Sequence, residues 1–574
     1  MQDIYKPLEE YDEVYRDKFK EVCEATFQEL ADASGVNVDA NRQLCQEINS
    51  LNEEHDKVSN KRRNMIILCV VLWLTVAVGV FAVFSPNTFG QWAFVAIGAG
   101  VVALLVVLFK VHPTIKELGN TKSDLEEEIK AKTAEGYNQM APLNRLYDWD
   151  VFSRMMVKTV PKLEFDPFFT TKRLADLVKT YDWDESFNSE RSIIYSHSGL
   201  INGNPFVICR TRKMIWGSKT YYGEKTIHWT TTERGADGKY RTVHHSATLR
   251  ASVTRPYPEY PEKTWLIYGN TAAPDLIFNR EKNKSKYKEG SLSYKIKKYK
   301  LEKRSRDLKN DFAMATNDEF EVLFTTTDRN DNQQYFLLFT PLAQESMISL
   351  LRDEEIGYGD DFNFHKHKKI NIIVADHMQG VSLDMNPRQF YHYDFDQAKQ
   401  LFADTNARYF KSIYFCLAPL LCVPLYQQMR PASAIYGREM PTESSYWEHE
   451  ALANFWGERK FEHPKCATHS ILKTTAQRRG GGVVDVTVDA YGYEEIPKVT
   501  YVEKRGGDGR YHNIRVEYCD YEPVVGSGTM SLREDLPGEE KDLTPVTRQQ
   551  RISSKLGLVG GRGVYRRHIV SKVD

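Results

Sequence analysis

The densest array of metal-binding side chains in this 574-residue chain is His463-Pro-Lys-Cys466-Ala-Thr-His469, preceded by His449. Imidazole nitrogen and thiolate sulfur are ligands that zinc takes up tetrahedrally. A zinc site with one open position would activate water for hydrolysis. His449, His463, Cys466 and His469 are therefore the candidate metal set, with zinc as the ion. Their spacing matches no standard zinc module, and the plain alternative makes His463 a loop residue and Cys466 a small buried one. A second cluster is Asp360, Asp361, His365, His367 and His377. On a strand, His365 and His367 would face one side and could hold a metal or act as general base; a polar strand edge is the competing account.

Nucleophilic and nucleotide chemistry has less to stand on. Ser198 follows His197, but strand neighbours point to opposite faces and no Gly-x-Ser-x-Gly elbow surrounds the pair. Gly480, Gly481 and Gly482 precede an expected strand, so they form a turn and not a phosphate cradle at a helix start. No Walker, dinucleotide-binding, kinase or deaminase signature occurs.

The elements that must position these residues begin with two charge-free apolar runs, residues 65–84 and 92–109. Each is long enough to cross a hydrocarbon core of roughly 30 Å, and the short link SPNTFGQ forces them antiparallel. Thr75 and Gly79 on one run, and Ala96 and Gly100 on the other, have the small-residue spacing that lets helices approach closely in lipid. Lys57, Lys61, Arg62 and Arg63 precede the first run, and Lys110, Lys116 and Lys122 follow the second. The positive-inside rule then puts both termini in the cytoplasm.

Heptad seams flank the runs: Leu44, Ile48, Leu51, His55 and Val58 before, Ile115, Leu118, Lys122, Leu125 and Ile129 after. They predict an antiparallel coiled-coil stalk, which could also assemble between chains. Residues 7–32 carry one apolar stripe and predict a helix that docks on the cytoplasmic domain, stopped by Gly35 and restarted near Asp39 or Asn41.

The remaining texture predicts an α+β protein in which N-terminal helices and stalk carry a large β-rich cytoplasmic domain with antiparallel sheets. The expected segments are an N-terminal amphipathic helix (1–36), stalk helix (37–64), transmembrane hairpin (65–109), stalk helix (110–140), helix plus antiparallel β domain (141–280), basic linker (281–310), α+β domain (311–430), helix plus β segment (431–530) and flexible basic tail (531–574). Residues 441–457 predict a helix capped by Thr442 and closed by Gly457. Gly506, Gly507, Asp508 and Gly509 mark a turn between strands. Residues 280–309 hold thirteen Lys and Arg against four acids. There Lys295, Lys297, Lys298, Lys300, Lys303 and Arg304 could touch anionic lipid, at about 1 kcal/mol per basic residue near the surface, or an acidic partner; a solvated helix face is the bland account.

The stretch NDEFEVLFTTTDRNDNQQYFLLFTPLAQESMISLLRD reads as strand, turn, strand, helix. With the hairpin before it, its Phe320, Glu321, Phe324, Asp328, Leu338, Thr340, Pro341 and Leu350 resemble an uncharacterised bacterial family of two-span membrane proteins. The resemblance covers the hairpin and about sixty residues. It implies a two-span topology in a bacterial inner membrane and no known reaction.

The charge balance, 77 basic against 78 acidic residues, argues against a dedicated nucleic-acid binder. Eight cysteines without a CxxC pair fit reduced thiols in the cytosol. The leading expectation is a membrane-anchored binding or scaffold protein with a protein partner. The alternatives are a membrane-tethered, metal-assisted hydrolase and an anionic-lipid sensor.

Overall fold

The computed structural model describes residues 3–84, 90–234, 239–283, 287–288, 290–307, 312–431, 443–479, 483–535, 544–557 and 563–573. The expected docking helix forms as a short turn, Pro7–Glu10, one π-turn, Tyr11–Tyr15, and a regular helix, Arg16–Ser34, stopped by Gly35 at φ 64°. That left-handed conformation suits glycine, which has no Cβ to clash. The stripe of Tyr11, Phe19, Cys23, Phe27 and Leu30 is buried. Its main partner is the helix Phe395–Leu421. Phe19 stacks on Phe410 with centroids 4.2 Å apart, and Phe27 meets Phe402 at 5.6 Å. Each such aromatic contributes about 1.5–3 kcal/mol by leaving water.

The helix Val38–Phe84 follows, about 70 Å long at 1.5 Å per residue. The chain returns through Ala93–Val106, a π-turn and His112–Asn144. Glu47 bonds Lys132, His55 bonds Glu126, Gly119 lies against the Arg62 guanidinium, and Gly79 lies on Gly100. The partners converge in sequence, so the two helices run antiparallel from the head to their apolar ends. Both are long and apolar enough to cross a membrane. Leu74, Phe81 and Phe94 are 62%, 54% and 85% exposed, so no described segment of this chain packs on the outer faces of the apolar stretch.

The small residues hold the crossing. A Cβ on Gly79 would lie 3.0 Å from Gly100 Cα and 3.1 Å from the Ala96 carbonyl oxygen, whereas one on Gly98 would meet nothing within 4 Å. Gly79→Leu should therefore weaken the pairing by about 1–3 kcal/mol, the usual range for overpacking. Circular dichroism melts in micelles should show a lower midpoint for Gly79→Leu and an unchanged one for Gly98→Leu.

The head is α+β with antiparallel sheets. Seven strands form one sheet: β1 (Leu163–Phe165), β2 (Arg191–Ile201), β3 (Asn204–Lys213), β6 (Glu262–Gly269), β7 (Ile277–Arg280), β8 (Phe362–His367) and β9 (Ile370–Ala375), in the order β1-β2-β3-β6-β9-β8-β7. Between β3 and β6 the chain leaves this sheet as one long hairpin, β4 (Ile215–Arg234) and β5 (Tyr240–Glu259), paired from Ile215↔Glu259 to Arg234↔Tyr240. The second sheet, β10-β11-β12-β14-β13, comprises β10 (Ile471–Arg479), β11 (Val483–Arg505), β12 (Tyr511–Glu534), β13 (Val564–Arg566) and β14 (Ile569–Val573). β11 and β12 stay paired to Arg505↔Tyr511 at the expected glycine turn, well past the end of β10.

These two ribbons lie face to face and make an arm of about 65 Å, twenty residues at 3.3 Å each. Ala251, Ile514 and Val516 form its small core, and Tyr257 meets Tyr521 edge-on at 5.6 Å. At Gly223 the β4 backbone crosses so close to the Arg515 carbonyl that a Cβ would lie 2.1 Å from it.

Three expectations are corrected. The Phe320-Glu321-x-x-Phe324 segment is a helix, Asp318–Phe324, capped by Asn317, and the next expected strand is the helix Asn332–Leu338. The 281–310 linker contains the helix Leu292–Ser305, capped by Ser291. The segment from 531 on, expected as a flexible tail, contributes the end of β12, the helix Pro545–Gly557 and the β13–β14 hairpin, whose Arg566 and Arg567 are buried. The cap Thr442, the turn Gly480 to Gly482 and Arg562 lie outside the described residues.

Candidate functional site

The candidate metal set is divided by strand β10. His449 sits on the helix Tyr446–Trp456, 2% exposed, with Nε2 2.9 Å from Ser444 Oγ. Ser444 in turn bonds Glu534, which pairs with Arg478. Burial pushes the His449 imidazole down to about 4, so it is neutral near pH 7. Cys466 lies at the opposite end of β10, its Sγ 3.5 Å from Ser470 Oγ and beside Gly492. Eight residues of strand separate Ser470 from Arg478, roughly 25 Å.

The three members of the local array also turn to different partners. His463 Nδ1 accepts the Lys465 N–H at 3.2 Å, and Cys466 Sγ is 3.4 Å from the Thr468 carbonyl. His469 Nδ1 is 2.5 Å from Glu458 Oε1. Among the described residues, no group of three or more His, Cys, Asp or Glu side chains is arranged to hold a metal ion. The four-residue zinc set is thus not assembled. Cys466 and His469 do share a cavity of about 430 Å³ at the root of the arm, with Tyr260, Glu458, Glu462 and Tyr521.

The second cluster also divides. His365 Nδ1 bonds Asn279 on the β7 side of the sheet, and His367 pairs with Ile277 at the strand end. Asp360 holds the fully buried guanidinium of Arg280 at 2.5 Å. Asp361 accepts from the His377 backbone N–H at 3.0 Å and lies 2.5 Å from its ring Nδ1, while His377 Nε2 faces the Ser412 carbonyl at 3.0 Å. Tyr358 stacks on that imidazole at 3.9 Å with its ring nearly parallel.

Asp361 and Tyr358 form part of the wall of a cavity of about 560 Å³, with Tyr287, Lys288, Asp353 and Glu354. Both ring nitrogens of His377 thus lie within hydrogen-bond distance of protein oxygens, a geometry that pins the loop to the helix Phe395–Leu421. Ser198 and His197 face apart as expected: Ser198 Oγ donates to Asp166 at 2.7 Å, and His197 Nδ1 lies 3.1 Å from the Tyr195 hydroxyl. Burial, with Arg567 nearby, holds His197 well below the ordinary imidazole range.

On the basic helix, half of the named residues serve the fold. Lys298 pairs with Asp318 at 2.7 Å, Arg304 donates to the Thr327 carbonyl at 2.6 Å, and Lys297 is half-buried near Tyr287, where burial lowers its pKa. Lys295, Lys300 and Lys303 project outward beside exposed Leu292, Ile296 and Tyr299. This helix sits by Asp318–Phe324, which packs on Pro341–Arg352, and that helix in turn meets the Pro7–Glu10 end of the docking helix. The stalk leaves from the other end, where Arg42 pairs with Asp396.

The strongest feature that sequence reasoning missed is the turn between β13 and β14. Arg567 and His568 adopt left-handed backbone, φ 44° and 63°, unusual for non-glycine residues. Arg566 reaches Asp384 at 3.3 Å, Arg567 reaches Glu448 at 3.5 Å, and His568 Nε2 lies 2.7 Å from Asp150 Oδ2. The available signal was three adjacent basic residues between two short strand-like stretches, a pattern that fits a plug as well as a tail.

Comparison with protein-family models, curated proteins and solved structures finds no match to this chain. None of these comparisons supports the family resemblance carried by Phe320, Glu321 and their neighbours.

Proposed function

We propose that this protein is a membrane-anchored binding or scaffold protein, held in a bacterial inner membrane by a two-span hairpin with both termini and the head in the cytoplasm. One observation carries the reading: the antiparallel helices run from a buried root in the head to an apolar end that no described segment of this chain covers. The basic residues flanking that end, Lys57, Lys61, Arg62 and Arg63 on one helix and Lys110, Lys116 and Lys122 on the other, support the cytoplasmic side for the head.

The seam residues Leu44, Ile48 and Leu125 are buried, which supports reading the polar part as a short coiled-coil stalk. Such a stalk would raise the head about 30 Å from the bilayer, twenty residues at 1.5 Å each. The arm then offers a long contact surface, and the outward lysines with Leu292, Ile296 and Tyr299 suit an acidic protein partner. Because the docking helix separates the basic helix from the stalk root, the bilayer of the anchor is the less favoured contact.

In-cell crosslinking of tagged full-length protein, with membrane fractionation, tests the proposal. The expected result is a carbonate-resistant membrane protein whose head is digested by protease only in inverted vesicles and crosslinks to a small set of proteins. Release by carbonate, or digestion of the head from the outer face, would overturn the anchor or its orientation. A membrane-bound head with no reproducible crosslinks would overturn the scaffold role.

A further inference from the structure

The arm has an unprotected edge. Among the described residues β4 pairs with β5 and with no other strand, so its far side presents alternate backbone N–H and C=O groups without strand partners along twenty residues. An edge this long is a ready template for another strand, and proteins usually shorten, cover or bulge such an edge. The second ribbon covers one face only: Gly223 and Ile227 are buried against it, and Trp229 lies on the turn glycine Gly507. The opposite face, with Thr220, Tyr222, Glu224, Thr226, His228, Thr230 and Thr232, is exposed.

The charge order of this strand fits its own reverse. Between residues 220 and 234 the ionised side chains are Glu224, Lys225, Glu233 and Arg234. Let a second copy of β4 lie antiparallel about a two-fold axis through Trp229. An axis through a residue keeps matching side chains on the same face, as strand pairing requires. Glu224 then stands opposite Arg234 of the second copy, and Lys225 opposite its Glu233. Symmetry repeats both pairs. All four charges meet an opposite charge. Shifting the axis by one or two residues either way leaves none of them so matched within the strand.

We propose that the free edge of β4 is a homodimer contact, joining two arms into a four-stranded ribbon β5-β4-β4-β5 about Trp229. This deepens the binding role proposed above by naming a second copy of the chain as one partner, and it rests on that reading only in treating the arm as a contact element. A monomeric chain would leave the membrane anchor untouched.

The register makes the test specific. Thr226 falls opposite Thr232 of the second copy, and both are exposed. Full-length protein in micelles carrying Thr226→Cys and Thr232→Cys together should form a disulfide-linked dimer under mild oxidation, whereas either substitution alone should not. Lys225→Glu and Glu233→Lys should each weaken dimerisation about tenfold, since cross-strand attraction becomes repulsion at two symmetric places. The combined swap should restore it. A monomer at tens of micromolar by analytical ultracentrifugation, a dimer indifferent to the swaps, or equal crosslinking by the single cysteine variants would overturn the proposal.

Discussion

Replacing Glu321 with alanine is expected to cost about 3–5 kcal/mol, because it strands a buried guanidinium without its counter-ion. Arg329 and Glu321 are 0% and 1% exposed. They meet through two parallel bonds, Nη1 to Oε2 at 3.1 Å and Nη2 to Oε1 at 2.8 Å, the bidentate geometry that makes such pairs strong. The same carboxylate accepts the Ala315 N–H at 2.9 Å, so its loss also unpins the loop before the helix. Tyr335 and Phe312 stand 4.1 Å and 4.4 Å from the guanidinium and leave little room for water to replace the lost partner.

The asymmetry of buried pairs gives a sharper version of the experiment. Glu321→Leu combined with Arg329→Met removes both charges and should recover most of the loss, since a well-packed apolar pair can equal a buried ion pair. Urea unfolding of the full chain in micelles measures both. If Glu321→Ala and the double variant lose the same stability, the pair acts through shape and not through charge.

Glu321 also shows why the sequence misled. Phe320 and Phe324 are four residues apart, a helical spacing, and their rings stack at 5.1 Å. Yet FEVLF followed by TTT is dense in aromatic and β-branched residues, and seven residues are too few for periodicity to decide between strand and helix. The cap settles it: Asn317 Oδ1 accepts the Glu319 and Phe320 N–H groups, a signal available in the sequence. The membrane-length helices and the Gly35 stop were legible because each depends on local composition.

Other parts depended on partners far along the chain. Pro497 lies within β11 opposite Cys519, where the pairing with β10 has already ended at Tyr491, so its missing N–H removes no second ladder. The four candidate zinc ligands are dispersed among the described residues for the same kind of reason. Closeness of His463, Cys466 and His469 in sequence says nothing about the direction of each ring, and strand β10 carried His449 away. The basic C-terminus looked solvated because Asp150, Asp384 and Glu448, its counter-ions, come from three distant segments.

That last contact should make docking of the C-terminal hairpin pH-dependent. Burial opposes a charge on His568, but Asp150 at 2.7 Å outweighs it, helped by Asp148 and Asp535, and the imidazole pKa is raised. Burial likewise opposes ionisation of Asp150, yet His568, Arg154 and Arg567 hold its carboxyl below the usual carboxylate range. The Tyr565 hydroxyl, 3.3 Å from His568 Nδ1, is shifted far upward by burial and stays neutral.

The sign follows from which state holds the proton. Below an ordinary imidazole value of about 6.5 both docked and released hairpins are protonated, and the stabilisation is complete. Between that value and the raised one only the docked form keeps its proton, so docking weakens by about tenfold per pH unit until the raised value is passed. Asp150 acts at the other limit: its share is present above about 3.9 and is lost as the pH falls through its depressed value. Docking should therefore be firmest between roughly pH 4 and 6.5. Hydrogen exchange of β14 amides, corrected for intrinsic rates, should show opening that rises from pH 6.5 upward in the native chain and stays flat in His568→Gln. A flat native profile from pH 6 to 9 would mean that Arg566 and Arg567 hold the plug and that the histidine only fills the turn.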